Sequence, residues 1–217
     1  MNYLSFDVGI KNLAYCIITS EKDIVDWDII NLNENPICDV ILNKKCEKQA
    51  TYIVKNDDKV KHCCTVHSKK FKNKKKMNTN HDLFRLSQKC ITELRKIDLS
   101  TVKTVLIENQ PALKNPVMKS IQMIIYTFFV IEGVMNDQSP IEKIHMVNAR
   151  NKLKVYQGPK IECNKKGKYA QNKFLSVEYT KIMIINQAEN FRKLFDSSKK
   201  KDDLADAYLQ GIYWIEK

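Results

Sequence analysis

Four acidic residues have types and positions that could do chemistry together: Asp7, Glu108, Asp203 and Asp206. Asp7 closes the apolar run Tyr3-Leu4-Ser5-Phe6, and Glu108 closes Val105-Leu106-Ile107. Asp203 and Asp206 open the amphipathic stretch Leu204-Ala205-Asp206-Ala207-Tyr208-Leu209. A carboxylate at the end of a core element is costly unless something compensates it. Asp203 and Asp206 are spaced i, i+3, so both project from one face of a helix. If that face lies beside the ends of the strands carrying Asp7 and Glu108, four carboxylates share one pocket and push protons onto each other. Divalent ions remove that conflict, and hard oxygen donors suit Mg²⁺ or Mn²⁺ rather than Zn²⁺. Two such ions ~3.5–4 Å apart stabilise both the attacking and the leaving oxygen in phosphodiester hydrolysis, and no protein nucleophile is needed.

A second constellation lies between residues 36 and 78, where cysteine, histidine and lysine dominate and apolar periodicity fades. Cys64 and His67 have the close spacing of two ligands on one ion. With Cys38 and Cys46 they make a Cys3His set, closed and therefore structural, for one Zn²⁺. Cys63 and His62 are rival ligands. Thr51–Val54 and Lys59–Lys61 read as a small hairpin between the two halves, so 36–78 is expected to be a zinc-binding insertion in a domain spanning 1–217. The run Lys69-Lys70-Phe71-Lys72-Asn73-Lys74-Lys75-Lys76 follows and could contact phosphates. Lys152, Lys154, Lys160, Lys165, Lys166 and Lys168 form a second basic segment. Tyr156 and Tyr169 could stack on bases, or simply pack.

The elements that must position these groups follow from periodicity. Residues 3–8, 13–19 and 24–30 alternate as three consecutive strands with short polar breaks. Gly9, in the turn after the first, can take a positive φ. Asn80-His81-Asp82 can cap a helix to about Lys96 whose apolar face carries Leu83, Leu86, Cys90, Ile91 and Leu94. Residues 102–107 and 143–147 form two more strands. Between them, Pro116 starts a helix to about Met135 that is apolar nearly all round, and so belongs in a core or in a subunit interface. Residues 148–168 read as a mobile polar loop, and helices follow at about 169–195 and 202–215. Antiparallel strands first and strand–helix alternation afterwards imply an α/β fold, with a mixed five-stranded sheet flanked by helices.

The composition fits a partner of opposite charge. The 217 residues hold 37 Lys and Arg against 25 Asp and Glu, a net charge of +12, with a pI near 9.3. A polyanion is the natural ligand. The start Met1-Asn2-Tyr3 lacks the pattern of a secretory signal, and the greasy stretch Met123–Ile131 falls short of a membrane span. The protein is therefore expected to be intracellular and off the membrane, with its seven cysteines as metal ligands or free thiols.

Three segments carry a family resemblance. Tyr3-Leu4-Ser5-Phe6-Asp7-Val8-Gly9-Ile10-Lys11-Asn12 resembles the first motif of RuvC-like nucleases of the ribonuclease H superfamily, and Ile107-Glu108-Asn109-Gln110-Pro111 resembles the second. Lys200-Lys201-Asp202-Asp203-Leu204-Ala205-Asp206-Ala207-Tyr208-Leu209-Gln210 resembles the last. The combination is most similar to the Holliday junction resolvases of poxviruses and other large DNA viruses. That resemblance implies a ribonuclease H-like fold, a homodimer, and Mg²⁺-dependent paired nicking of branched, four-way DNA at the site of viral DNA replication. It implies metal-ligand roles for Asp7, Glu108, Asp203 and Asp206, with Asp202 behind them. It also implies a lysine near the scissile phosphate, for which Lys173 is the candidate, with Lys168 behind it. Some such resolvases are similar in carrying a zinc-binding insertion. The rival readings are a ribonuclease H-like enzyme acting on RNA–DNA hybrid or RNA, and a non-catalytic zinc-dependent nucleic-acid-binding protein.

Overall fold

The computed structural model of the protein describes residues 1–217 apart from 34, 42, 43, 57, 58, 78–81 and 114. In chain order the elements are β1 (Asn2–Asp7), β2 (Leu13–Thr19), β3 (Ile24–Ile30), β4 (Tyr52–Asn56), β5 (Lys59–Cys63), α1 (Thr65–Ser68), β6 (Lys74–Lys76), α2 (Leu83–Leu94), β7 (Val102–Glu108), α3 (Pro116–Phe128), β8 (Lys143–Val147), α4 (Lys168–Met183), α5 (Glu189–Ser197) and α6 (Lys201–Ile215). Contacts divide them into two compact units, Met1–Leu32 with Leu83–Lys217, and Asn33–Asp82.

The larger unit is built on a five-stranded sheet of order β3-β2-β1-β7-β8. β1, β2 and β3 run antiparallel, while β7 joins β1, and β8 joins β7, in parallel. Side chains on a strand alternate between faces, and the two cores follow that rule. Leu4, Phe6, Leu13, Tyr15, Ile17, Val105 and Ile107 pack with α2 and α3. Ala14, Cys16 and Ile18 pack with Leu204, Ala205, Tyr208 and Ile212 of α6. The rings of Phe6 and Phe129 meet at 5.7 Å and those of Trp27 and Phe195 stack at 5.3 Å, each buried aromatic contributing roughly 1.5–3 kcal/mol or more by area.

Register sets the position of two of the acids. Ser5 pairs with Leu106 and Phe6 with Ile107 in parallel, so Asp7 and Glu108 come next on adjacent strands and point to the α6 face. α6 is fixed to that face at both ends. Trp27 Nε1 donates to the carbonyl of Leu204 at 3.1 Å. The buried amide of Gln210 donates to Ser5 Oγ and to the Phe6 carbonyl, each at 3.1 Å. Gly211 lies so close to the sheet that a Cβ there would come within 2.6 Å of Ile18 Cδ1.

Several expectations change. Gly9 is not in the positive-φ region; among the described residues Lys22 and Gly167 are. A side chain at Gly9 is excluded instead because its Cβ would lie 2.3 Å from the Asn12 carbonyl oxygen. Asn80 and His81 of the expected cap lie outside the described residues. The helix expected at 169–195 is two, α4 and α5, because Gln187 is drawn to the β2–β3 turn: it accepts from the Ile24 N–H at 2.8 Å and donates to the Lys22 carbonyl at 2.9 Å. The segment read as a mobile loop contains a 3₁₀ helix, Ala149–Val155, with Asn148 Oδ1 accepting from the Arg150 N–H at 3.0 Å.

α3 is capped by Asn115, whose side chain accepts from Met118, and continues through a π-helical turn, Phe129–Val134. The combined helix Pro116–Val134 has 19 residues and a mean hydropathy of 1.4, long and apolar enough by those measures to cross a membrane. It is longer than the apolar stretch read from the sequence. Ile121, Ile125, Phe128 and Phe129 are buried in the core. Met123 and Ile131 on the other side are 43% and 58% exposed.

The smaller unit is a three-stranded antiparallel sheet of order β5-β4-β6, followed in chain order after β5 by the one-turn α1. β6 comes from within the basic run.

Candidate active site and metal centres

Asp7, Glu108, Asp203 and Asp206 line one cavity of about 460 Å³, together with Gln110, Lys152 and Lys173. Each acid arrives there for a local reason. Asp7 and Glu108 sit at the carboxyl ends of two adjacent parallel strands, the end at which open α/β sheets bind ligands. Asp203 and Asp206 lie on the first two turns of α6, where carboxylates also complement the helix dipole.

The electrostatics are those of a crowded acid cluster. Burial, and then the neighbouring Glu108, hold the Asp7 carboxyl well above the usual carboxylate range. Burial and Asp202 push Asp203 up to about 6. Burial raises Asp206 as well, although Lys152 opposes it. The buried Oδ2 of Asp203 and Oδ1 of Asp206 have no hydrogen-bond partner, an arrangement expected to cost about 1–3 kcal/mol per atom. Hard, anionic, under-coordinated oxygens at the end of a sheet fit a hard divalent cation, so the donor set present suits Mg²⁺ or Mn²⁺.

Three lysines line this cavity, Lys11, Lys152 and Lys173, and the last two are paired with carboxylates. Lys173, the sequence candidate, extends from α4 and pairs with Asp202. Burial disfavours its ammonium, but Asp202 outweighs that and its pKa is raised, while the pKa of Asp202 is lowered through the same pair. The second lysine is Lys152, on the 3₁₀ helix, whose Nζ lies 2.5 Å from Asp206 Oδ2. Burial works against its charge too, yet Asp206, Asp7 and Glu108 together raise its pKa. Sequence reasoning put Lys152 in a generic basic segment. A sharper signal was available in its surroundings, since Leu153 and Val155 are the apolar residues of that stretch and both pack against the α6 core. Gln110 was also missed: its amide donates to Glu108 Oε2 at 2.6 Å. Of the two tyrosines, Tyr156 stacks on Tyr179 at 4.1 Å. Tyr169 is 74% exposed and lines the cavity, with Lys173 Nζ 5.2 Å from its ring centre. Lys168 begins α4.

In the smaller unit, Cys38, Cys46, Cys64 and His67 bring one ligand atom each within 4.8 Å of one another, with Cys38 Sγ 3.4 Å from His67 Nδ1. A tetrahedron with Zn–S near 2.3 Å has edges of about 3.7 Å, so this donor set fits Zn²⁺. Of the rivals, His62 Nδ1 lies 3.2 Å from Asp39 Oδ2. Cys63 is buried on β5, on the face it shares with Tyr52.

Comparison with solved structures matches this architecture to one class. The chain superposes on the fowlpox virus resolvase, solved in complex with Holliday junction DNA, with a TM-score of 0.55 at 17% identity, covering 100% of this chain and 97% of that one. It superposes on the yeast mitochondrial Holliday junction resolvase Ydc2 with a TM-score of 0.54 at 16% identity, covering 98% and 78%. The fold is the ribonuclease H-like fold of these two Holliday junction resolvases. In sequence, the chain is 30% identical, over an alignment of 319 residues, to the uncharacterized protein L451 of Acanthamoeba polyphaga mimivirus, covering 100% of this chain and 75% of the relative. It belongs to the family of that protein. No protein-family model matches the chain.

Proposed function

We propose that this protein is a metal-dependent, structure-selective DNA endonuclease that resolves four-way junctions by paired, symmetric nicking. The observation that carries the reading is the convergence of four carboxylates and a half-buried lysine at the carboxyl end of β1 and β7, in the fold of junction resolvases. Asp7, Glu108, Asp203 and Asp206 would hold two Mg²⁺ or Mn²⁺ ions. Such ions, when bound, supply Lewis-acid stabilisation of the attacking and leaving oxygens. The chain's own residues do the rest. Lys152 and Lys173 offer fixed positive charge where a phosphate gains negative charge in the transition state. Gln110 holds Glu108 in place, and the Gln210 and Trp27 bonds keep α6 against the sheet so that Asp203 and Asp206 do not drift.

Symmetric cutting of two strands needs two sites related by a two-fold axis, hence a homodimer. The apolar side of Pro116–Val134 is the proposed contact. There Ile91, Met123, Ile124, Phe128 and Ile131 line a groove of about 440 Å³. Residues 36–78 form a zinc-binding subdomain inserted in the nuclease domain, with Cys38, Cys46, Cys64 and His67 as ligands. The viral origin of the relative supports action inside the infected cell, where viral DNA is replicated.

A cleavage panel tests the reading. Wild-type protein with Mg²⁺ is expected to nick a four-way junction at symmetric positions in opposing strands. Asp7→Asn and Asp203→Asn are each expected to abolish cleavage while junction binding persists. Preference for an RNA–DNA hybrid, or mutants indistinguishable from wild type, would sink it.

A further inference from the structure

Half of the chain's surplus positive charge sits in the smaller unit. Residues 33–82 hold 12 lysines against six acids, in a chain of net charge +12. The two units treat their lysines differently. In the larger unit eight lysines are ion-paired with carboxylates. In the smaller unit His62 pairs with Asp39, and Lys61, Lys74 and Lys76 are in no ion pair among the described residues.

The register of the small sheet gathers part of that unpaired charge. Lys61 of β5 and Lys74 of β6 both lie opposite Val54 of the central strand, and Lys76 lies opposite Tyr52. Val54 and Tyr52 are two residues apart, so all three lysines share one face. All three are exposed. Lys74 and Lys76 are about 6.6–6.8 Å apart along the strand, and Lys61 and Lys74 are separated by two strand spacings, about 9.5 Å. A lone lysine is enough to guard a sheet edge from pairing with another chain. Three ammonium groups on one face, none of them ion-paired among the described residues, exceed that need and repel one another, a cost a polyanion relieves.

The same face argues against a lipid surface as the polyanion. Its apolar members cannot be inserted into a bilayer, since Val54 is 1% exposed and Tyr52 lies beneath the Lys74 ammonium, 5.8 Å from its ring centre. Phosphodiester backbone asks only for charge at suitable spacing. We propose that Lys61, Lys74 and Lys76 form a phosphate-backbone contact for duplex nucleic acid, on residues wholly outside the acidic cavity. The proposal rests on the nuclease reading only for the identity of the polyanion.

The test is the salt dependence of binding by the full chain. Asp7→Asn is placed in every variant to suppress cleavage, and a short fluorescent duplex is titrated by anisotropy without Mg²⁺ or chelator. The triple variant Lys61→Gln/Lys74→Gln/Lys76→Gln is expected to lower the slope of log affinity against log salt by about 2.7, three contacts at about 0.9 each. The matching Lys→Arg triple is expected to keep the slope. Zinc content and far-ultraviolet circular dichroism report whether the Gln triple is folded. If it is not, the double Lys61→Gln/Lys76→Gln decides, with an expected fall of about 1.8. An unchanged slope in the folded Gln variant, an equal loss in the Arg variant, or a loss seen only on phosphatidylserine vesicles would overturn the proposal. Junction cleavage by the wild-type chain is read separately. A chain that cuts junctions with an unaltered slope loses this inference alone, and one that shows the slope change but cuts nothing loses the nuclease reading alone.

Discussion

Gln110 Nε2 donates to Glu108 Oε2 at 2.6 Å and reaches the Val8 carbonyl at 3.4 Å. One amide therefore ties the carboxylate of β7 to the chain leaving β1, one residue past Asp7. The Gln110 N–H is itself held by the buried Gln122 side chain at 2.7 Å. Gln110→Ala is expected to lower junction cleavage and metal affinity by about 10–100-fold, the usual effect of removing a partner that orients a metal ligand, with junction affinity unchanged. Single-turnover cleavage and calorimetric Mn²⁺ titration check this, and equal losses in DNA affinity would mark the residue as merely structural.

Asp203 supplies a pH prediction. Its folded pKa near 6 lies above the unfolded value of about 3.9, so ionising it in the fold costs stability. That cost is absent below the unfolded value and complete above the folded one. Asp203→Asn is therefore expected to stabilise the metal-free protein near pH 7.5, on the order of 1 kcal/mol after allowance for solvent screening. Near pH 3 it should have little effect. Urea unfolding at the two pH values measures the difference; a gain of equal size at both would show that charge is not the cause.

The smaller unit has little core of its own: among its described residues the buried apolar ones are Cys38, Ala50, Val54, Cys63 and Cys64, and two of these are proposed zinc ligands. Zinc chelation is expected to release about one ion per chain and to open residues 33–82 to protease, because such binding energy is folding energy. The near-ultraviolet signal of the Trp27–Phe195 stack, which belongs to the larger unit, should persist. Simultaneous loss of both signals would refute the assignment.

The proposed dimer contact is open to one substitution. Ile131, more than half exposed, becomes a buried charge in a dimer if replaced by Glu, and so Ile131→Glu is expected to yield monomers in light scattering. Monomeric mass should coincide with loss of paired, but not of single, nicking. A variant that stays dimeric moves the interface elsewhere.

The sheet and the acid cluster were legible for physical reasons. Alternation in Leu13–Thr19 separates Leu13, Tyr15 and Ile17 from Ala14, Cys16 and Ile18, and that same alternation carries Asp7 and Glu108 to one face. The i, i+3 spacing of Asp203 and Asp206 survives in α6 unchanged. What was not legible depends on distant partners. Nothing local marks Ile184–Ala188 as a break, because the cause is Gln187 bonding to the β2–β3 turn. Leu153 and Val155 mark the segment as packed, but they flank Lys154 as well; what singles out Lys152 is Asp206, 54 positions on. Gly9 was read through backbone freedom, when the constraint is the Asn12 carbonyl that a side chain would strike.

The order in which the four acids occur along the chain has a consequence for synthesis. Asp7 and Glu108 are ready once β1 and β7 have paired, but Asp203 and Asp206 arrive with α6, the final helix described, held by Gln210 and Trp27. A growing polypeptide up to residue 200 carries half the carboxylates and leaves one face of its sheet uncovered. Docking of the last helix both seals that face and completes the acid set, so under the proposed function a chain without it lacks half of its metal ligands.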